Sequence, residues 1–257
     1  MRRVANMLAA LTVSAVPVAA QQATPTAFVD DFDRLNEARW YISDGWVNGD
    51  HQNCMWSKRA VTVSGGTLRI AFSKTSTKLR PYACGEVQTH ATMGFGTYEV
   101  RLRTPKGSGL NANFFTYIGA VHKQPHDEVD FEFLLKDTSH VQLNSFVSGK
   151  GGNEHFVDLA NASDAKFTDY AMIQEPGRLR WFIDGTLVHE ITDAAKVPSH
   201  PAKIYLSLWG SDTLNDWMGP FRDPGAALTM EVDRVAFTPL RAPCQFEASL
   251  ACDEDLF

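Results

Sequence analysis

Glu128, Asp130 and Glu132 stand at alternate positions in the stretch His126-Asp127-Glu128-Val129-Asp130-Phe131-Glu132-Phe133-Leu134, with apolar residues between them. Three carboxyl groups at that spacing can do acid and base chemistry together if the segment is a strand. The alternation has a period of two, which is strand periodicity. Successive side chains on a strand point to opposite faces, so Val129, Phe131 and Phe133 enter a core while the three acids form one row. A face that only met water would more often mix its acids with Thr, Lys and Ser, because like charges at adjacent same-face positions repel. A row of acids alone points to a reaction that uses them.

Geometry narrows the reaction. Glu128 and Glu132 are four residues apart, and a rise of roughly 3.3 Å per residue puts their Cα atoms about 13 Å apart. A glutamate reaches roughly 4 Å from Cα to its carboxyl carbon, so side chains leaning together would end roughly 5 to 6 Å apart, the spacing of a retaining glycosidase. An inverting enzyme needs more room, for a water. In the retaining chemistry Glu128 must be ionised to attack, and Glu132 must hold a proton for the glycosidic oxygen. Asp130, between them, can hydrogen-bond Glu128 if it carries a proton.

The elements that must position this row are short strands. Phe28–Phe32, Ala60–Val63, Leu68–Phe72, Cys84–Thr89, Tyr98–Arg103 and Asn113–Tyr117 precede it, with Ser64-Gly65-Gly66-Thr67 reading as a hairpin turn. Val141–Phe146, Leu179–Ile183, Thr186–Glu190, Ile204–Trp209 and Met230–Phe237 follow it. Asp184-Gly185 suits a type I′ turn. Gly149-Lys150-Gly151-Gly152 lacks the Lys-Ser or Lys-Thr ending of a phosphate loop and reads as a turn. About twelve strands with almost no helical period predict an all-β fold, an antiparallel sandwich of two sheets.

Composition sets the compartment. Met1-Arg2-Arg3, an apolar run to about Val18 and then Ala19-Ala20 predict a signal peptide over residues 1–20. Its removal takes away Arg2 and Arg3 and moves the formal charge from -6 to -8. A chain this acidic is a poor partner for nucleic acid or an anionic membrane surface. Four cysteines in an exported chain suggest two disulfides; of the three connectivities, Cys54 with Cys84 and Cys244 with Cys252 is favoured. Residues 21–240 are expected to form the catalytic sandwich and 241–257 a disulfide-stapled tail. The protein is expected outside the cytoplasm, secreted or periplasmic, free of the membrane once the leader is gone, and a monomer.

Glu128-Val129-Asp130-Phe131-Glu132 resembles the Glu-x-Asp-x-Glu signature of glycoside hydrolase family 16, and residues 28–238 resemble its bacterial lichenases, endo-β-1,3-1,4-glucanases. The likeness extends to Asn53-Cys54-Met55-Trp56 and Ala83-Cys84-Gly85-Glu86, similar to the segments that hold the lichenase disulfide, and to Phe114–Tyr117, Lys136-Asp137-Thr138 and Leu208-Trp209 with Asp216-Trp217. It implies a concanavalin-like jelly roll with a curved concave groove. It implies Glu128 as nucleophile, Glu132 as acid/base and Asp130 as the assisting carboxylate. Sugar contacts are implied from Asn48, Glu86, Phe115, Tyr117, Asn144, Trp209 and Trp217, with His126 at a further sugar-binding position. No cofactor is implied for catalysis; a structural calcium is, near the backbone of Asp31 and Gly66 and the side chain of Asp233.

The sequence departs from the lichenase pattern at His126, Gln88, Phe146 and Ser207, where lichenases have Trp, Arg, Tyr and Asn. These are sugar-binding positions, so they leave the chemistry alone and bear on the substrate. His126 resembles the plant xyloglucan-acting members of the family, and bacterial exopolysaccharide-trimming glycanases are another close relation. The expected substrate is therefore a β-1,3-1,4-glucan or a related bacterial exopolysaccharide such as succinoglycan. A transglycosylase would share every catalytic residue, and a lectin-like protein would bind sugar without needing Glu128 and Glu132 together.

Overall fold

The structure, a computed structural model, describes residues 26–256; the expected signal peptide lies outside the described residues. In chain order the strands are β1 (Phe28–Asp30), β2 (Trp40–Ile42), β3 (Cys54–Trp56), β4 (Val61–Val63), β5 (Leu68–Ser73), β6 (Tyr82–Thr89), β7 (Gly96–Arg103) and β8 (Leu110–Ile118). There follow β9 (Asp127–Leu134), β10 (His140–Phe146), β11 (His155–Asp158), β12 (Thr168–Glu175), β13 (Arg178–Ile183), β14 (Thr186–Ile191), β15 (Lys203–Gly210) and β16 (Leu228–Pro239). The helical elements are short turns, among them α1 (Asn215–Met218).

Two antiparallel layers pack face to face. One runs β11-β10-β9-β8-β15-β6, with β2 beside the far half of β6; the other runs β5-β16-β7-β12-β13-β14, with β1 and β4 on its flank. β6 belongs to both: Ala83 and Cys84 pair with β5, whereas Gly85 to Gln88 pair with β15. Gly85 sits at this crossing, where an added Cβ would lie 2.9 Å from both the carbonyl of Ala60 and Ile70. Any side chain there would force the layers apart.

The core between the layers is aromatic. Trp40, Trp56, Trp181, Phe114, Phe131, Phe133 and Phe237 are fully buried, and Phe114 and Phe131, from adjacent strands, stack at 6.3 Å. Each such ring, taken from water, contributes about 1.5–3 kcal/mol, and truncating one to alanine would cost about 3–5 kcal/mol. The hairpin β13-β14 turns on Asp184 (φ 46°) and Gly185 (φ 77°), both left-handed as its Asp-Gly predicts.

Sixteen strands stand among the described residues, not twelve. β2, β3 and β11 have three or four residues, too few to show a period. β12 lacks alternation because both its faces are covered. Ala171 and Ile173 on its outer face pack with Phe182, Leu250 and Leu256, so the C-terminal tail lies over this sheet. Ser249 Oγ and the Leu250 amide donate to the buried carboxylate of Glu99 at 2.6 and 2.9 Å, and Arg180 donates to the Leu256 carbonyl. Disulfides join Cys54 to Cys84 and Cys244 to Cys252. No helix among the described residues is long and apolar enough to cross a membrane.

Candidate active site

The row of acids lies on β9. Val129, Phe131 and Phe133 are buried in the core, and Glu128, Asp130 and Glu132 take the other face. Register sets their neighbours: Tyr117, Phe115 and Asn113 of β8 oppose Glu128, Asp130 and Glu132, and Phe146, Asn144 and Gln142 of β10 do so on the other side. Trp181 of the opposite layer donates its indole N–H to the Asp130 carbonyl at 3.1 Å, tying the strand to the core. At its start Asp127 accepts from the Ser148 amide (2.9 Å) and from the Ser199 and His200 amides (3.0 and 3.1 Å), pinning two loops to the strand end.

A groove of about 740 Å³ opens over this face. Glu128 and Glu132 stand in its wall with Glu86, Asn48, Phe115, Tyr117 and Trp209. Asp130 lies beneath them, 2% exposed. Phe115 stacks on Tyr205 at 4.8 Å, forming a flat apolar platform of the kind that takes a sugar face.

The three carboxyls are not equivalent. Burial raises the pKa of Glu132 to about 8, helped by the charge of Glu128 and opposed by the Asn111 amide, 3.1 Å away. Burial, then the charges of Glu128 and Glu132, holds the pKa of Asp130 well above the usual range. Asp130 Oδ1 is buried with no partner of its own, which a neutral acid tolerates and a carboxylate would not. Of the three, Glu128 has an imidazole at hand: His126 Nε2 is 2.5 Å from its Oε2, and that hydrogen bond raises the pKa of the imidazole. Burial also lifts Glu86 to about 7, against the hydroxyl that Ser43 donates at 2.5 Å. An ionised carboxylate beside a protonated acid, in a groove, can attack one side of a bond while protonating the other.

Other expected contacts are placed differently. His126 is turned to Glu128 and stacks on Phe146 at 5.1 Å, outside the groove wall. Asn144 is buried opposite Asp130, its Oδ1 accepting from the Ser145 amide. Trp217, on α1, donates to Gln142 Oε1 at 2.8 Å and stands 6.3 Å from Trp209. The groove also contains Tyr41, Trp46, Asn113, Val121, His122 and Tyr205, which the sequence did not single out. Tyr205 was recoverable, since it shares a strand face with Ser207 and Trp209. Val121 and His122 lie in a three-residue 3-10 turn, Ala120–His122, too short to show a period.

The calcium site fares worse. An added Cβ on Gly66 would lie 3.9 Å from the Asp31 carbonyl, so the two segments are neighbours, but the Asp233 carboxylate is 3.2 Å from Arg101 Nε. The guanidinium supplies the positive charge that a cation would bring, so these residues as arranged do not fit calcium. No group of three or more His, Cys, Asp or Glu among the described residues could hold a metal.

Comparison with known proteins agrees with this geometry. Residues 48–232 match the family "Glycosyl hydrolases family 16". The endo-1,3-1,4-β-glycanase ExoK of Rhizobium meliloti is 51% identical over 228 residues, 88% of this chain and 84% of that protein. The β-glucanase of Bacillus amyloliquefaciens is 37% identical over 77% of this chain and 82% of its own length. Among solved structures, a β-1,3-1,4-glucanase (lichenase) from a mouse hindgut metagenome superposes with a TM-score of 0.80 at 35% identity, covering 84% of this chain and all of that one.

Proposed function

The chain belongs to glycoside hydrolase family 16, and on that footing we propose that it is an exported, retaining endo-β-glycanase acting on a β-1,3-1,4-linked glucan or a related bacterial exopolysaccharide such as succinoglycan. The observation that carries the reading is the division of charge along one strand face, with Glu128 beside the His126 imidazole and Glu132 held protonated up to a pH of about 8. The names of the relatives support the substrate class, and the two disulfides support export.

In this reading Glu128 attacks the anomeric carbon while Glu132 gives its proton to the departing glycosidic oxygen. The glycosyl ester that forms has no charge on Glu128. The part of the Glu132 shift due to that charge then vanishes, so its pKa falls and it can take a proton from the incoming water. Asp130, neutral at working pH, orients Glu128 by donating to it. His126 acts through Glu128, its ring holding the carboxylate in direction. Phe115, Tyr117, Tyr205 and Trp209 offer ring faces to the sugars, and Asn48, Glu86 and Asn113 offer polar atoms to the hydroxyls. Residues 21–240 would carry the activity, with 241–257 as a strap on the second sheet.

The test is reducing-sugar release from mixed-linkage β-glucan, laminarin, xyloglucan and succinoglycan, with Glu128→Gln as control. Cleavage of mixed-linkage glucan or succinoglycan, lost in the variant, is expected. Release that survives in the variant, or none from any polymer, would contradict the proposal. Product sizes from a defined oligosaccharide separate hydrolysis from transfer.

A further inference from the structure

Lys203 opens β15 on the groove side, sharing a strand face with Tyr205, Ser207 and Trp209, which all line the groove. It is half-buried, and its ammonium donates to a neutral acceptor, Gln88 Oε1, at 3.2 Å; that oxygen also accepts from the Tyr205 hydroxyl at 3.1 Å. No carboxylate of the described residues pairs with it. Burial pulls its pKa down. Beside it in the groove wall stands His122, half-buried, with its Nδ1 buried and without a partner. Burial, then the charge of Lys203, lowers the pKa of His122 as well.

A partly desolvated ammonium with a neutral partner has given up water for little return. The rest of the groove carries the opposite chemistry, since Glu86, Glu128 and Glu132 are all acids. Lys203 pairs with Tyr117, and Tyr117 with Glu128, so the ammonium lies two strands across from Glu128 in the same row. At about 4.8 Å per strand, their Cα atoms are separated by about 10 Å. An anion would be repelled by the ionised Glu128 and welcomed at this one end.

We propose that the Lys203 and His122 end of the groove is a subsite for a carboxylate-bearing sugar unit, so that the polysaccharide cut here is acidic and its carboxylate fixes the register of cleavage. The inference rests on the glycanase reading and specifies its substrate. Lys203 supplies a charge-assisted hydrogen bond, and His122 lines the groove beside it. Because the ionised Glu128 repels the same carboxylate, a chain set with its carboxylate there is disfavoured by charge.

The experiment compares kcat/KM on three mixed-linkage β-glucans of equal length: unmodified, partly oxidised at C6 to uronate, and carboxymethylated to the same degree. Wild type, Lys203→Gln and Lys203→Arg are each assayed, with thermal unfolding to confirm the fold. For at least one acidic polymer the acidic-to-neutral ratio should fall roughly tenfold in Lys203→Gln, recover in Lys203→Arg, and decline with salt in the wild type. A response confined to the C6-oxidised polymer assigns a uronate, and one confined to the carboxymethylated polymer assigns a pendant carboxylate. Equal ratios in wild type and Lys203→Gln on both acidic polymers, with the neutral polymer cut, would overturn this inference alone. A wild type that cuts none of the three and no succinoglycan would overturn the glycanase reading and the inference with it, whereas cleavage of succinoglycan alone, equally fast by Lys203→Gln, would overturn the inference alone.

Discussion

His126 Nε2 and Glu128 Oε2 are 2.5 Å apart, an imidazole and a carboxylate separated by one residue of chain and held on the same side of the strand. The ring is fixed from behind by its stack on Phe146 and from the side by Tyr117 at 5.2 Å. A ring so held fixes the direction of its carboxylate partner. It also explains why the position tolerates an imidazole, since the ring serves the carboxylate directly.

Replacing His126 with Gln should therefore lower kcat/KM by about tenfold or more, the size expected for loss of a charge-assisted hydrogen bond. The hydrogen bond to Glu128 raises the pKa of the imidazole, so the His126 titration contributes to the wild-type kcat/KM profile and should be missing from that of the variant. A variant profile that superimposes on the wild type after scaling would rule out this role.

The raised pKa of Glu132 also bears on stability. Its folded pKa, about 8, lies above the ordinary glutamate value. Between those two values the folded protein binds more protons than the unfolded chain, so stability is full below about pH 4.5 and lost as pH rises toward 8. Glu132→Gln removes the ionisable group, so its gain in melting temperature should grow from near zero at pH 5 to a few °C at pH 8.5. Melting curves at both pH values check this; a gain independent of pH would contradict it.

The two disulfides should differ in weight. Cys54–Cys84 is buried and closes 30 residues of chain, with Gln52 Nε2 3.7 and 3.4 Å from its two sulfurs. Replacing both cysteines with Ala should cost about 3–4 kcal/mol by the loop-entropy relation, or roughly 10 °C in melting temperature. Cys244–Cys252 closes only 8 residues in the tail, so its loss should loosen the strap more than the sandwich. Hydrogen exchange would then speed up over 244–256 and stay slow in β9.

The row of acids was legible because it depends on parity alone: once Glu128 to Phe133 is a strand, its period decides which residues face the groove. The Asp184-Gly185 turn was likewise readable from local chemistry, and the two disulfides are the pairing favoured among three connectivities. What escaped depends on distant packing. β12 looked featureless because a tail some eighty residues further on covers its outer face. Asp233 could be read as an acid, but its partner Arg101 is set by a register shift in β16 between Val232 and Arg234. The direction of the His126 ring follows from Phe146, a neighbour only after β9 and β10 pair.

The most direct test of the central claim is the anomeric configuration of the first product, followed by proton NMR during cleavage of a mixed-linkage β-glucan oligosaccharide. Double displacement at Glu128 with Glu132 as acid and then base requires the β-anomer to appear first, with the α-anomer growing in later by mutarotation. An α-anomer formed first would mean a single displacement by water and would contradict the assignment of Glu128 as nucleophile.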